Sequence, residues 1–310
     1  MVLTETAFAK VNLALHVRRR RDDGYHDLES LFVFVDSGDS LRAERRDDGK
    51  LTLSIDGPFA AGLDDGPDNL VLRAAHTLKL SACPERSRES FAPASAQRPS
   101  TSLGNADEGK AGFDFGANLY LTKNLPVASG IGGGSADAAA ALRLLNRLWG
   151  CGLNDRQLCA IAETLGSDIP ACVISQTLRV EGRGEALEPL DLPELAGMPI
   201  LLVNPGIPLG TAPVFKGWDQ QDRGPLDSSS LEAIIAHGRN DLESPARTLV
   251  PAIGTVLDAL SAQPGAIVAR MSGSGATCFA LFTTSEAADA AQRALAAKYP
   301  GWWTLAGSVR

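Results

Sequence analysis

The chain has little of what nucleic-acid-binding or membrane-spanning proteins contain. Its 310 residues include 29 Lys and Arg against 37 Asp and Glu, a formal net charge of −8. This shortage of positive charge argues against nucleic acid or an anionic membrane as a partner, because both bind to positively charged protein surfaces. No continuous apolar run approaches the about 18 residues of a membrane helix, and the start, M-V-L-T-E-T, lacks a signal-peptide pattern. We therefore expect a cytoplasmic protein with small-molecule partners.

Cysteine and histidine are also scarce. Five cysteines occur without a C-x-x-C pair, and four histidines are scattered without H-E-x-x-H or similar spacing. This usage argues against a disulfide scaffold and a zinc site. A hydrophobic content of 44% still allows a sizeable core, in one large or two modest domains.

Glycine, in contrast, is concentrated in P-V-A-S-G-I-G-G-G-S-A-D-A-A-A-A at 126–141, which leads into a helix predicted over 135–149. Glycine lets the backbone approach an anion closely, and a helix start presents unpaired N–H groups. No Lys follows the glycines as a Walker A loop requires, and Ser135 stands where a dinucleotide fingerprint needs Gly. We predict a cradle for a polyphosphate; the alternative is a plain strand-to-helix turn.

An alternating pattern near the start predicts a strand. Odd positions from 7 to 17 are all apolar, whereas even positions include Lys10 and Asn12. Because alternate side chains share one face, we expect a half-buried strand on which Lys10 and Asn12 point away from the core into one ligand site.

A turn at 22–24 precedes a second strand over 28–35, which predicts a hairpin. Tyr25 and His26 lie just past this turn. Their rings could stack on and hydrogen-bond a nucleobase, or they are ordinary half-exposed turn residues.

The rest of the chain alternates between helix and strand periods, which predicts a mixed α/β or α+β fold. Helices are expected over 69–80, 154–166, 231–247, 252–260 and 285–298, and strands over 118–125 and on both sides of 272–275. Asn154 is the expected cap of its helix. Residues 83–112 are rich in Ser, Pro, Ala and charge, which predicts a mobile insertion.

Asp168 lies between a helix stop at Gly166 and Pro170. It could simply cap the next helix. Alternatively, a phosphate loop, a strand lysine and a carboxylate are the parts of a phosphoryl-transfer site. Asp168 would then accept a hydroxyl proton, and Lys10 would offset negative charge on the transferring group.

Three segments together resemble the GHMP kinases, named for galactokinase, homoserine kinase, mevalonate kinase and phosphomevalonate kinase. They are A-K-V-N-L-A-L-H-V at 9–17, P-V-A-S-G-I-G-G-G-S-A-D-A-A at 126–139 and M-S-G-S-G-A-T-C-F-A at 271–280. The resemblance implies an α+β, two-domain GHMP kinase fold. Its N-terminal mixed α/β domain, of the ribosomal protein S5 domain 2-like type, would span 1–180. An α+β C-terminal domain would span 181–310, with the active-site cleft between the two.

Two further segments, D-G-Y-H-D-L-E-S-L-F at 23–32 and G-S-D-I-P-A-C-V at 166–173, resemble the branch of this family that acts on a cytidine-diphosphate sugar alcohol. The resemblance implies transfer of the ATP γ-phosphate to the 2-hydroxyl of that substrate, with Mg²⁺, in the non-mevalonate route to isoprenoid precursors. The alternatives are another small-molecule GHMP kinase, of homoserine or mevalonate type, and a non-enzymatic nucleotide-binding protein.

The same resemblance assigns roles by position. Lys10 and Asp168 would be the catalytic pair, and Asn69 would lie beside the adenine. Tyr25, His26 and Phe215 would recognise the cytosine, with Asn12 at the polar end of the substrate. The implied ATP loop consists of Pro126, Val127, Ala128, Ser129, Gly130, Ile131, Gly132, Gly133, Gly134, Ser135 and Ala136.

Two points about the phosphate end stay open. Ser135 is a candidate Mg²⁺ ligand, but no carboxylate dedicated to the metal stands out. The loop at 273–275 is either an ordinary glycine turn or faces the ATP phosphates across the cleft; the resemblance favours the second.

Overall fold

The computed structural model describes residues 1–82 and 115–310, and the first half of the chain forms a six-stranded sheet. The strands pair in the order β3-β4-β2-β5-β6, with β1 also paired to β2. Their bounds are β1 (Val2–Arg20), β2 (His26–Arg46), β3 (Leu51–Asp56), β4 (Gly116–Thr122), β5 (Leu178–Gly182) and β6 (Ala186–Pro189). The β3–β4 pair is parallel and the other pairs are antiparallel. The predicted mobile insertion at 83–112 lies outside the described residues.

Helices of the first half pack with this sheet in one core cluster. They are α1 (Leu70–Ala82), α2 (Gly133–Trp149), α3 (Asp155–Glu163) and α4 (Ile169–Ile174). Helix α2 is rich in Ala and Leu, which are strong helix formers, and Gly150 in the left-handed conformation ends it. The predicted cap of α3 is confirmed: Asn154 Oδ1 accepts from the N–H of Gln157, whose Oε1 accepts from the N–H of Asn154.

The second half forms a four-stranded antiparallel sheet in the order β10-β7-β9-β8. Its strands are β7 (Pro199–Asn204), β8 (Ala266–Met271), β9 (Cys278–Phe282) and β10 (Trp303–Ser308). Its helices are α5 (Thr211–Lys216), α6 (Leu231–His237), α7 (Glu243–Leu249), α8 (Ala252–Ser261) and α9 (Ser285–Lys298). The α+β fold class is as predicted, and α9 has the predicted bounds.

The single helix predicted over 231–247 is wrong. The chain leaves helical conformation at Gly238 (ψ 144°), and Asn240 then forms a bridge with Leu15 of β1 before α7 begins. Backbone pairing with β1 therefore interrupts the apolar periodicity from which one helix was predicted.

The prediction of a half-buried β1 is also wrong. The apolar odd positions are buried, but Lys10, Asn12 and His16 are buried as well, at 5%, 3% and 1% exposure. One core cluster joins Val11 of β1 to Leu202 and Phe279 of the second sheet. Strand β1 therefore lies between the two halves and is covered on both faces.

The division of the chain at 180/181 falls inside β5, which pairs with β2, and it stays a prediction. In residues 1–82 and 115–310, no helix combines the length and apolar character needed to cross a bilayer.

Candidate active site

Lys10 of β1 and Asp168 at the start of α4 form an ion pair, with Nζ 3.0 Å from Oδ2. Asp168 occupies the N-cap position of α4, but its side chain makes no capping hydrogen bond, so the carboxylate is directed to Lys10 instead. Irregularities in the β1–β2 pairing adjoin Lys10 and Asn12, and such bulges re-aim side chains. The side chain of Lys10 is 6% exposed and that of Asp168 is 34% exposed. Asp168 is therefore the member of the pair that a substrate can reach.

The glycine loop lies directly against Lys10. The N–H of Lys10 donates to the carbonyl of Ile131 at 3.1 Å. Gly132 has φ 66°, and a Cβ there would come within 3.2 Å of Cε of Lys10. Because Gly132 is the N-cap of α2 and has no capping side chain, the first N–H groups of α2 remain available to an anion beside the Lys10–Asp168 pair.

The loop at 272–275 packs on the glycine loop rather than standing apart from it. Ser272 Oγ donates to the carbonyl of Gly130 at 2.9 Å and accepts from the N–H of Asn12 at 3.1 Å. Asn12 donates its amide to Ser30 Oγ at 2.9 Å, and its Oδ1 is buried with no hydrogen-bond partner in the described part of the chain. The three segments 9–17, 126–139 and 271–280 therefore meet around Lys10 and Asn12.

A pocket of about 200 Å³ lies between the glycine loop and the start of α1. Asn69, Leu70, Val127 and Gly134 are among its lining residues. Asn69 is fixed at its rim because its Oδ1 accepts from the N–H of Val71 and its amide donates to the carbonyl of Asp64. A flat apolar group next to the predicted phosphate cradle would fit there.

The structure brings two of the three predicted cytosine-binding rings together. The rings of His26 and Phe215 lie 4.9 Å apart, and Trp218 contacts His26 edge-on at 5.6 Å. Burial, and then the charge of Arg20, lower the pKa of His26, which favours the neutral imidazole with one donor and one acceptor. The ring of Tyr25, in contrast, is 55% exposed and stacks under the guanidinium of Arg183 at 3.8 Å, and the described ring contacts do not join it to Phe215.

Comparison with known proteins gives the family. The family models described as GHMP kinases N terminal domain and GHMP kinases C terminal match residues 102–176 and 227–301. A protein of Rhizorhabdus wittichii named 4-diphosphocytidyl-2-C-methyl-D-erythritol kinase is 50% identical over 309 residues, covering 99% of this chain and 94% of the relative. The chain belongs to the 4-diphosphocytidyl-2-C-methyl-D-erythritol kinase family.

A second relative and two solved structures are also similar to this chain. A kinase of the same name from Novosphingobium aromaticivorans is 47% identical over 310 residues, covering 100% of this chain and 94% of the relative. A crystal structure of 4-(cytidine 5'-diphospho)-2C-methyl-D-erythritol kinase aligns with a TM-score of 0.75 at 32% identity, covering 99% of both chains. Homoserine kinase from Cytophaga hutchinsonii shares the fold, with a TM-score of 0.68 at 18% identity, covering 99% of this chain and 95% of that one.

Sequence reasoning missed a buried charge cluster beside the glycine loop of this kinase-family chain. Lys123 Nζ contacts Asp39 and lies 2.7 Å from Oδ2 of Asp137 in the first turns of α2. Asp39 Oδ1 accepts from the N–H groups of Asn124 and Leu125, which lead into the loop. The cluster therefore ties the loop to the start of α2. The three residues are separated in sequence and carried no spacing signal.

Sequence reasoning also missed Arg183 and Gly184, because the residues next to them in the structure are distant in the sequence. Arg183 and Gly184 form the turn between β5 and β6, where a Cβ on Gly184 would lie 3.8 Å from Oδ1 of Asp168 while Arg183 covers Tyr25. This turn connects the acidic end of the ion pair with the predicted cytosine side.

One ammonium between two buried carboxylates predicts a pH-dependent stability. Burial, opposed by Lys123 and helped by repulsion from Asp39, raises the pKa of Asp137 to about 7. The folded state then binds more protons than the unfolded state between about pH 4 and 7, so this contribution to stability is present at low pH and is lost as pH rises. We expect the unfolding free energy of wild type, minus that of Asp137→Asn, to fall over this range in urea titrations.

The exposed Ala294→Ser variant on α9, which neither adds nor removes a titratable group, is the control, for which the corresponding difference should stay constant. A flat or rising difference for Asp137→Asn would show that this carboxyl is already ionised in the folded protein at low pH.

Proposed function

We propose that this chain transfers the γ-phosphate of ATP to the 2-hydroxyl of 4-diphosphocytidyl-2-C-methyl-D-erythritol, the compound after which its relatives are named. The observation that carries the proposal is the Lys10–Asp168 pair directly beneath the open N-terminus of α2. A polyphosphate in the glycine loop would place its terminal group next to this pair.

In this mechanism, Asp168 accepts the proton of the attacking hydroxyl and Lys10 offsets charge on the transferring phosphoryl group. The N–H groups of Gly133, Gly134 and Ser135 would hold phosphate oxygens, since they lack intrahelical partners. Positioning and charge stabilisation are the main contributions that a phosphoryl-transfer enzyme makes. Asn69 and the pocket beside it would take the adenine.

Mg²⁺ would neutralise charge on the ATP phosphates when bound. Residues 1–82 and 115–310 contain no group of three His, Cys, Asp or Glu arranged to hold a metal. Mg²⁺ keeps several waters and is commonly held by one or two protein groups plus substrate phosphates, and Ser135 would be the candidate side chain of the loop.

The cytosine would bind at the His26–Phe215 contact, where a flat ring can stack and an imidazole can hydrogen-bond. Tyr25 would complete this site only by leaving Arg183 or by moving with it. Asn12 would use its unpartnered Oδ1 to accept a hydrogen bond from the sugar-alcohol end.

The test is ADP release by the purified protein with Mg-ATP and the cytidine compound, compared with homoserine and mevalonate as acceptors. We expect turnover with the cytidine compound alone. Phe215→Ala should raise its KM by about 10- to 100-fold, because stacking on an aromatic ring contributes about 1–3 kcal/mol per base. The KM for ATP should not change.

Other outcomes distinguish the alternatives. Preference for homoserine or mevalonate would select a different kinase of the superfamily. ATP binding without ADP release on any acceptor would indicate a non-enzymatic nucleotide-binding protein.

A further inference from the structure

A second cavity, of about 680 Å³, lies in the second half of the molecule. It is lined by the segment 238–241, the start of α7, Gly217 after α5, and four arginines: Arg223, Arg239, Arg247 and Arg270. Its size is in the range of small organic ligands. None of the proposed catalytic, ATP-binding or substrate-binding side chains lines it, although Gly217 adjoins the helix that carries Phe215.

The charges facing this cavity do not balance. Three arginines pair with three acids: Arg223 with Asp219, Arg239 with Asp241, and Arg247 with Glu243. In the described part of the chain, no carboxylate lies within ion-pair distance of Arg270. The cavity wall therefore carries one excess positive charge, in a chain of net charge −8.

Arg270 is 8% exposed, and its guanidinium donates to the carbonyls of Leu13 at 3.1 Å and Ile235 at 2.6 Å. These neutral acceptors satisfy two N–H groups but do not neutralise the charge. Burial, opposed by Glu243, lowers the pKa of Arg270 to about 10. A buried cation without an ion-pair partner is costly, and an anion in the adjoining cavity would offset that cost.

The cavity is also connected to the phosphate loop. Asn240, in its lining, donates its amide to the carbonyls of Met271 at 2.7 Å and Gly273 at 2.8 Å. A Cβ on Gly273 would lie 2.9 Å from the carbonyl oxygen of Gly130 in the glycine loop. A ligand that moves Asn240 would therefore act on the loop that is proposed to hold ATP.

We propose that this cavity is a second ligand site, for a small organic anion whose carboxylate or phosphate group lies against Arg270, and that its occupancy alters nucleotide affinity through Asn240. The proposal goes beyond the kinase reaction, and binding can be measured without turnover.

The experiment is calorimetric titration of inorganic phosphate, and separately of succinate, into protein saturated with Mg-ADP and cytidine diphosphate. We expect one equivalent of at least one probe to bind. Arg270→Met should weaken that binding at least 10-fold. Since this buried substitution risks unfolding, Arg247→Gln, at a half-exposed residue, provides a second variant that should weaken binding at least 3-fold.

Arg293→Gln, on the exposed side of α9, is the matched control and should bind as wild type does. Bound probe should also change the ADP dissociation constant of wild type at least 2-fold, through Asn240. Because coupling between two sites is reciprocal, ADP should change the affinity for the probe by the same factor. The second site would be overturned if neither probe bound, or if both cavity variants bound the probe as tightly as wild type does. It would also be overturned if the probe bound only when the nucleotides were left out. Binding without any change in ADP affinity would overturn the coupling to the phosphate loop.

Discussion

Asp168→Asn is expected to lower kcat by about 10²- to 10⁴-fold, the usual contribution of general-base catalysis. The asparagine keeps the size of the side chain but cannot accept the hydroxyl proton. Since Asp168 makes no capping hydrogen bond in α4, the substitution should leave the helix intact. It removes the ion-pair partner of the buried Lys10, however, so the thermal midpoint should fall. The KM for ATP should change little, because the proposed role of the carboxylate concerns the acceptor alcohol. ADP release and thermal unfolding of the same preparation measure both effects.

Asp155→Asn, at an exposed position in the first turn of α3, is the matched control and should retain full activity. Because Lys10 and Asp168 touch, their contributions should not add: Lys10→Met combined with Asp168→Asn should lose little more than the more damaging single variant. Retention of more than a tenth of wild-type kcat by Asp168→Asn would remove Asp168 from the role of base.

Structural features that depend only on residues within one short segment could be predicted from the sequence. Helix α9 has the predicted bounds and α2 begins two residues early, because periodicity and terminal glycine or polar caps lie inside each segment. The capping box at Asn154 depends on residues three apart. The meeting of Lys10 with Asp168 was inferred differently, from the parts that a phosphoryl-transfer site needs and from the resemblance.

What could not be predicted depends on contacts across the whole fold. The burial of Lys10 and Asn12 comes from loops at 130–132 and 272 that cover the second face of β1. The break between α6 and α7 follows from pairing with β1, not from local propensity. Lys123 contacts Asp39, which lies 84 residues away in the sequence, and no periodicity within either segment predicts that pair.

The glycine loop gives the second large expected effect, through Gly130→Ala. Gly130 has φ 79°, and a Cβ there would stand 2.4 Å from the carbonyl oxygen of Ser272 and 2.9 Å from N and O of Gly275. These are backbone atoms, which cannot rotate aside as a side-chain end can. One of the two loops must therefore move. Because displacements of about 1 Å at a reacting centre cost on the order of 10²-fold in rate, we expect kcat/KM for ATP to fall by about that factor.

Gly150→Ala separates this contact from the cost of the backbone conformation. Gly150 ends the same helix α2 with φ 66°, and a Cβ there would meet nothing within 4 Å. Both alanines should cost about 1–2 kcal/mol of stability for the left-handed conformation. Only Gly130→Ala should also weaken ADP binding and slow turnover, as equilibrium titration and steady-state kinetics would measure. Equal kinetics in the two variants would mean that the backbone strain common to both positions accounts for the change in turnover. The close packing of 272–275 on the glycine loop would then not set the position of the phosphates.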